Sequence, residues 1–267
     1  MIATMTNSGA QAVRTPAGTA FAQLPPADKP APTLLLFASE GMETLAVEPY
    51  CLVGQLLHAR GWNVVSLDLP CHGADRRAGE PTELEGWAAR TAASEDFVAA
   101  FQAQVNDVVG YLIQSGAADP ARITVAGTSR GGFMAFHSAA RNPQICAVVG
   151  FAPVTDLRAL NEFSGQENNP LTERLALVNT VEPLRGRAAW ITIGNADTRV
   201  DTGKAEAFAH ALVSDRSAQN LGNDITLRVV PAPGHTSLPE WHEDAADWLT
   251  VRSLPGSKRP NISFVSK

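Results

Sequence analysis

Ile123-Thr124-Val125-Ala126-Gly127-Thr128-Ser129-Arg130-Gly131-Gly132-Phe133 is the stretch that decides the fold. Apolar and β-branched residues precede Gly127, and the apolar residues between Gly132 and Pro143 have the pattern of a buried helix. The stretch therefore predicts a strand that passes through a sharp turn into a helix, with Gly-x-Ser-x-Gly at the turn. The two outer glycines lack a Cβ, so strand and helix can pass close together and expose the hydroxyl of Ser129. Because the bare motif also arises by chance, the flanking elements carry the prediction of a nucleophilic serine.

The composition points to one folded domain and to neither nucleic acid nor a membrane as partner. With 267 residues, of which 45% are hydrophobic and 18% charged, the chain can bury a full core. Its formal net charge of -6 gives no electrostatic reason to expect nucleic acid or a membrane surface as partner. The three cysteines lack metal-type spacing, which argues against a zinc site and favours a reducing compartment. With no secretion signal or long apolar stretch in view, the sequence predicts a cytoplasmic protein.

Predicted strands and helices alternate along most of the chain. Apolar runs predict buried strands at 33–38, 63–69, 145–151, 190–194 and 225–230. Apolar residues at three- and four-residue spacing predict helices at 49–60, 97–113, 202–212 and 238–249. This alternation predicts an α/β fold with a doubly wound, mostly parallel sheet of about six to eight strands and helices on both faces.

The remaining segments divide the chain. Residues 1–30 predict a loose leader, with short edge strands near Ala20–Leu24 as an alternative, and residues 253–267 predict a mobile tail. The domain is then expected to span residues 31–252. Two polar stretches, 71–93 and 155–187, are expected to be short insertions over the site, and the second includes a short helix near 171–178.

Three residues follow strands of this predicted sheet: Ser129, Asp197 and His235. Functional sites of such sheets lie at the carboxyl ends of the strands, so these side chains are expected to meet. A serine hydroxyl needs an imidazole to take its proton, and the imidazole needs a carboxylate to hold its tautomer. These residue types therefore predict a catalytic triad. Asp201 is an alternative acid, although its place before Thr202 favours a role as helix cap.

Several motifs resemble the α/β-hydrolase superfamily over about residues 33–249. They are the Gly127–Gly131 elbow, the order serine, aspartate, histidine, and Asp68-Leu69-Pro70-Cys71-His72-Gly73, which resembles a turn of that superfamily with Cys71 in place of glycine. Asp119-Pro120-Ala121-Arg122-Ile123 before the elbow is most similar to esterases and to the catalytic domain of prolyl-oligopeptidase-type peptidases. The resemblance implies acyl-enzyme chemistry.

The resemblance also implies where an oxyanion hole should lie. A tetrahedral intermediate needs two hydrogen-bond donors, and the N–H of Arg130 is the first. The second is expected on the loop after the first strand, at the N–H of Ser39 or, as an alternative, of Glu40. Many superfamily members carry His-Gly there, whereas this chain has Phe37-Ala38-Ser39-Glu40-Gly41. The Glu40 side chain is expected to point to solvent rather than to select a cationic substrate.

Other polar residues are predicted to be structural. Asp68 fits local hydrogen bonding in the turn before Gly73, and Cys71, His72 and Asp75 do not match the spacing of a common metal or thiol site. Four histidines lie in predicted helices, where surface or partly buried positions are expected: His58, His137, His210 and His242.

The sequence thus predicts a serine hydrolase that cleaves a carboxylic ester or related acyl bond of a small molecule, without metal or organic cofactor. Two alternatives remain open at this point. One is a single-domain peptidase similar to the prolyl-oligopeptidase group, and the other is a ligand-binding member of the fold without catalytic activity.

Overall fold

The computed structural model describes residues 9–222 and 224–252. The predicted tail and the first eight residues of the predicted leader lie outside the described residues. Within them, eight strands form one sheet: β1 (Gln11–Arg14), β2 (Ala20–Gln23), β3 (Ala31–Phe37), β4 (Asn63–Ser66), β5 (Ala118–Thr128), β6 (Ile145–Phe151), β7 (Ala188–Gly194) and β8 (Ile225–Val230). The α-helices are α1 (Gly41–Thr44), α2 (Leu52–His58), α3 (Glu83–Ala92), α4 (Phe97–Gln114), α5 (Arg130–Arg141), α6 (Pro170–Leu175), α7 (Thr202–Ala218) and α8 (Pro239–Arg252).

The sheet is doubly wound and mostly parallel, as predicted. Its order is β1-β2-β4-β3-β5-β6-β7-β8, and all pairs from β4 to β8 run parallel. Helix α2 packs against α8, and α4 packs against α5, so helices cover both faces. The order of strands reverses at β3, beside β5. A binding crevice is expected outside the carboxyl ends of the strands at this switch point.

The central strands are buried on both faces, which explains their continuous apolar sequences. Leu34, Leu35, Leu36 and Phe37 of β3 are at most 1% exposed. Each such side chain stabilises the fold by about 1.5–3 kcal/mol relative to an exposed one. The core therefore holds β3 and β5 firmly, and the ends of these strands are fixed positions for a site.

The predicted leader is not loose over residues 11–24. Strands β1 and β2 form an antiparallel hairpin, and β2 pairs with β4 through Ala22 and Ser66. Phe21 and Leu24 are buried at 3% exposure. Strand β2 thus corresponds to the alternative of edge strands near residues 20–24, and β1 is a further strand that was not predicted. Each strand has four residues, so its own sequence gives little periodic signal. The pairing of β2 with the distant β4, and of β1 with β2, decides their conformation.

Both predicted insertions contain helices. Within 71–93, α3 was not predicted, and its buried Arg90 contacts Asp75 at 2.6 Å and Glu80 at 2.7 Å. Within 155–187, the predicted short helix corresponds to α6, which Asn169 caps by accepting the N–H of Leu171 at 2.9 Å. Each insertion therefore has secondary structure of its own.

Two of the four helical histidines are core residues, contrary to the expectation of surface or partly buried positions. His137 and His242 are 1% and 0% exposed. Each ring packs on an aromatic side chain, Phe133 for His137 and Phe151 for His242. Burial lowers the pKa of both histidines from 6.5 to about 3, so both rings are neutral near neutral pH. His58 is half-buried and His210 is exposed, as expected.

None of the helices in the described ranges combines the length and apolar character needed to cross a membrane.

Candidate active site

Ser129 occupies the predicted sharp turn between β5 and α5. Its φ and ψ are 53° and -117°, a conformation that costs a non-glycine residue about 1–3 kcal/mol. The Ser129 N–H donates to the Phe151 carbonyl at 2.9 Å, and the Ser129 carbonyl accepts from Val154 at 3.1 Å. A Cβ on Gly127 would lie 2.2 Å from the Gly131 carbonyl oxygen, and one on Gly131 would lie 2.0 Å from that of Phe37. Glycine at both positions is thus required for strand and helix to pass this closely.

The structure brings Ser129, His235 and Asp197 together. Nε2 of His235 lies 2.9 Å from Oγ of Ser129, and Nδ1 lies 2.7 Å from Oδ2 of Asp197. Ser129 follows β5, Asp197 follows β7, and His235 follows β8. Parallel pairing therefore brings residues that are far apart in sequence to one edge of the sheet.

Asp197 lies in an environment that keeps it ionised. Its side chain is fully buried, and Oδ1 accepts the N–H groups of Arg199 at 3.0 Å and Val200 at 3.2 Å. Burial would raise the pKa of Asp197, but the hydrogen bond and charge of His235, with the two N–H groups, hold it below its usual value. An ionised carboxylate only accepts hydrogen bonds, so it places the imidazole proton on Nδ1. Nε2 then faces Ser129 with its lone pair.

Asp201, the alternative acid, is instead the N-cap of α7. Its side chain accepts the N–H of Lys204 at 3.2 Å. The capping role that the sequence favours is therefore the one in the structure.

The N–H of Arg130 as first oxyanion donor stays a prediction, whereas the N–H expected as the second donor already has a partner. Arg130 is the first residue of α5, and the N–H groups of a first helical turn have no partner inside their helix. The N–H of Ser39 donates to Thr44 Oγ1 at 3.1 Å, and Ser39 is 3% exposed. The assignment of Ser39 as second donor therefore disagrees with the structure. The reason is α1, which begins right after β3 and brings Thr44 to this N–H.

The N–H of Glu40, the alternative donor, stays a prediction, whereas the side chain of Glu40 has a partner. Its side chain forms an ion pair with Arg76 at 2.7 Å, and both side chains are partly exposed. This agrees with a surface position rather than with selection of a cationic substrate. Ala38, one residue before Ser39, does border the cavity at Ser129.

A cavity of about 310 Å³ opens beside Ser129 and His235. Its other lining residues are Ala38, Pro49, Tyr50, Leu84, Thr128, Arg130, Arg199, Thr236 and Ser237. The first insertion thus contributes Leu84 to the wall. The volume suits a small organic group next to the serine hydroxyl.

Two arginines of the cavity wall are held by glutamates of the insertions, which the sequence analysis missed. Arg130 donates to the Ala38 carbonyl at 3.0 Å and to Glu83 at 2.7 Å. Arg199 forms two hydrogen bonds with Glu162, at 2.8 and 2.5 Å. Arg130 directly follows Ser129, and Arg199 lies two residues after Asp197, so both have a usable signal in the sequence. The glutamates have no such signal, because their positions depend on how the insertions fold.

The turn at 68–75 has internal hydrogen bonds that fit the predicted structural role. Asp68 accepts the N–H groups of Gly41 at 2.7 Å and Ala74 at 2.8 Å. Nδ1 of His72 lies 2.8 Å from the Pro70 carbonyl oxygen. Burial raises the pKa of the Cys71 thiol to about 12, so this thiol is not a thiolate near neutral pH.

Comparison with known proteins extends this picture. The family model described as "Prolyl oligopeptidase family" matches residues 86–252. The acylamino-acid-releasing enzyme of Arabidopsis thaliana is 28% identical over 149 residues, 48% of this chain. The matched region spans 19%, about a fifth, of that relative's length.

Solved structures share the fold at low sequence identity. The acylaminoacyl peptidase of Pyrococcus horikoshii has a TM-score of 0.68 at 13% identity, over 91% of this chain and 41% of its own. The acetyl xylan esterase of Paenibacillus sp. R4 has a TM-score of 0.64 at 14% identity, over 94% of this chain and 88% of its own. These likenesses confirm the predicted α/β-hydrolase fold.

Proposed function

Because the chain belongs to the prolyl oligopeptidase family of serine hydrolases, we propose that it cleaves carboxylic esters or related acyl bonds of small molecules through Ser129, His235 and Asp197. The observation that carries the proposal is the pair of hydrogen bonds that joins these side chains, 2.9 Å from Ser129 to His235 and 2.7 Å from His235 to Asp197.

The proposed reaction has two half-reactions. His235 Nε2 takes the proton of Ser129 as Oγ attacks the substrate carbonyl, and Asp197 stabilises the imidazolium. The oxygen of the tetrahedral intermediate gains charge at the N terminus of α5, where the Arg130 N–H is available. His235 then gives the proton to the leaving group, and an acyl-enzyme on Ser129 remains. Water activated by His235 releases the acid in the second half-reaction.

Carboxylic esters with a small acyl group are the first candidate substrates. The cavity next to Ser129 is about 310 Å³, at the small end of ligand pockets. Its wall includes Ala38, Pro49 and Leu84, which suit an apolar acyl group. The structural likeness to an acetyl xylan esterase that spans most of both chains is in line with this candidate.

Cleavage of an acylated amino acid or short peptide is the second candidate. The observation that favours it is the 28% identity, over 48% of this chain, with an acylamino-acid-releasing enzyme. A purely ligand-binding protein is the third alternative. The hydrogen-bonded serine and the strained turn that presents it argue against that alternative, because binding alone requires neither.

Two chromogenic substrates, one for each candidate, separate the first two candidates. Release of p-nitrophenol from p-nitrophenyl acetate is compared with release of p-nitroaniline from N-acetylalanine p-nitroanilide, in wild type and Ser129→Ala. We expect kcat/KM for the ester to exceed that for the anilide by more than is found for the uncatalysed reactions, and both activities to disappear in Ser129→Ala. If the ratio of kcat/KM to the uncatalysed rate were higher for the anilide than for the ester, the result would favour the peptidase. Hydrolysis that persists in Ser129→Ala would refute both.

A further inference from the structure

A second histidine, His242, lies beneath the proposed triad without being part of it. It is fully buried in α8, and its Nε2 lies 2.8 Å from Oγ of Ser237. Ser237 follows His235 by two residues and borders the cavity. His242 is therefore bonded to the same short loop that carries the triad imidazole.

The same ring also contacts β6, the strand that pairs with β5, at whose end Ser129 lies. It stacks on Phe151, with ring centroids 4.1 Å apart and an interplanar angle of 26°. The Phe151 carbonyl accepts the N–H of Ser129 at 2.9 Å. One buried imidazole thus contacts both the loop of His235 and the residue that fixes the main chain of Ser129.

Few other hydrogen bonds hold this loop. Apart from the bonds of His235 itself, residues 231–237 have two hydrogen bonds to the rest of the described chain. One joins the N–H of Ala232 to Asn195 Oδ1 at 3.4 Å, which is long, and the other joins Ser237 to His242. The bond to His242 is the shorter of the two and the nearer to His235 in sequence.

The chemistry of His242 suits a fixed contact. Burial lowers its pKa to about 3, so its charge does not change near neutral pH. Its Nδ1 has no hydrogen-bond partner in the described part of the chain. A neutral imidazole has one donor and one acceptor nitrogen. Of these two, Nε2 is hydrogen-bonded to Ser237. The ring can therefore hold Ser237 near neutral pH without a change of its own charge.

We propose that His242 is a positioning residue of the active site, which sets the distance from His235 to Ser129 through its contacts with Ser237 and Phe151. The inference rests on the proposed function. A displacement of about 1 Å at a reacting group can cost about 10²-fold in rate, so loss of this contact should act on the chemical step.

The test compares substitutions that keep or remove the bond to Ser237. A glutamine at 242 can place its amide near the position of Nε2, whereas an asparagine reaches only the position of Nδ1. We expect His242→Asn, His242→Leu and Ser237→Ala to lower kcat with p-nitrophenyl acetate at least about tenfold, with KM nearly unchanged. His242→Gln should stay within about threefold of wild type. The double variant Ser237→Ala/His242→Leu should be no slower than the slower single variant, because the two substitutions remove the same hydrogen bond.

The matched control is His137→Leu. His137 is equally buried, and its Nε2 bonds the Leu175 carbonyl at 3.0 Å, away from the His235 loop. This control should lose stability but keep kcat per folded molecule, which is counted by titration with a fluorophosphonate. The inference is overturned if the folded Asn and Leu variants at 242 keep wild-type kcat, or if Asn and Gln at 242 lose kcat equally. A wild-type protein that the fluorophosphonate does not label refutes the proposed function instead, so the two failures are distinguishable.

Discussion

Asp197→Asn tests the proton arrangement of the proposed triad. In wild type Oδ1 accepts two main-chain N–H groups, and Oδ2 lies 2.7 Å from His235 Nδ1. The amide oxygen of an asparagine would keep the N–H bonds of Arg199 and Val200, so its NH₂ would point at Nδ1. An NH₂ group only donates, so the imidazole would need its proton on Nε2 and would no longer accept one from Ser129.

The expected loss follows from this wrong tautomer. The corresponding substitution in a serine protease lowers kcat about 10⁴-fold, and we expect about 10³- to 10⁴-fold here, or about 4–5.5 kcal/mol in the barrier. The assay is kcat with p-nitrophenyl acetate at pH 7, with the thermal midpoint as a check of folding. Asp201→Asn is the matched control, because asparagine also caps helices well, and it should stay within about twofold of wild type. A loss below tenfold in Asp197→Asn, or a larger loss in Asp201→Asn, would refute the assignment of the acid.

Three further perturbations test the fold around the site. Gly131→Ala should prevent a soluble native protein, because the added Cβ would lie 2.0 Å from a main-chain oxygen of β3. Gly110→Ala in α4 is the control: its added Cβ would meet no atom within 4 Å, so alanine should raise the urea midpoint. A soluble, folded Gly131→Ala protein with the urea midpoint of wild type would contradict this expectation. Arg90→Met should lower the free energy of unfolding by about 3 kcal/mol in urea titrations, since it leaves two carboxylates without their buried cation; a change under about 1 kcal/mol would count against it. His137 and His242 have pKa values lowered from 6.5 to about 3, so below pH 6.5 the unfolded chain binds protons that the folded chain does not. For each of them, the free energy of unfolding should therefore decrease by about 1.4 kcal/mol for each unit by which the pH falls below 6.5. Urea titrations that give the same free energy of unfolding at pH 7 and pH 5 would exclude this.

The parts of the site that could be predicted from the sequence are those that short local patterns determine. The elbow needs glycine on both sides of Ser129, because the close approach of strand and helix leaves no room for a Cβ, and this requirement is visible in five residues. The apolar strands before Asp197 and His235 are equally visible, and parallel pairing of these strands then places the two side chains near Ser129.

Other features could not be predicted, because contacts between distant segments decide them. Helix α3 contains Gly86, which reads as a break in a helix. The structure requires it, since a Cβ there would lie 2.4 Å from the Pro81 carbonyl oxygen and 2.6 Å from Cys71 Sγ. The position of Ser39 after the first strand suggests an oxyanion donor, but in the structure α1 places Thr44 Oγ1 at the Ser39 N–H. The burial of His242 likewise depends on Phe151, from a strand about 90 residues away in the sequence.

The most direct test of the account is the site of covalent labelling by a fluorophosphonate. Trypsin cuts after Arg122 and Arg130, so it releases residues 123–130 as one peptide, in which Ser129 is the single serine. We expect one adduct per folded chain, on Ser129 of this peptide, and a much slower reaction in His235→Ala. A folded wild-type protein that stays unlabelled, or that carries its adduct on another peptide, would contradict the proposal that Ser129, His235 and Asp197 act as one catalytic unit.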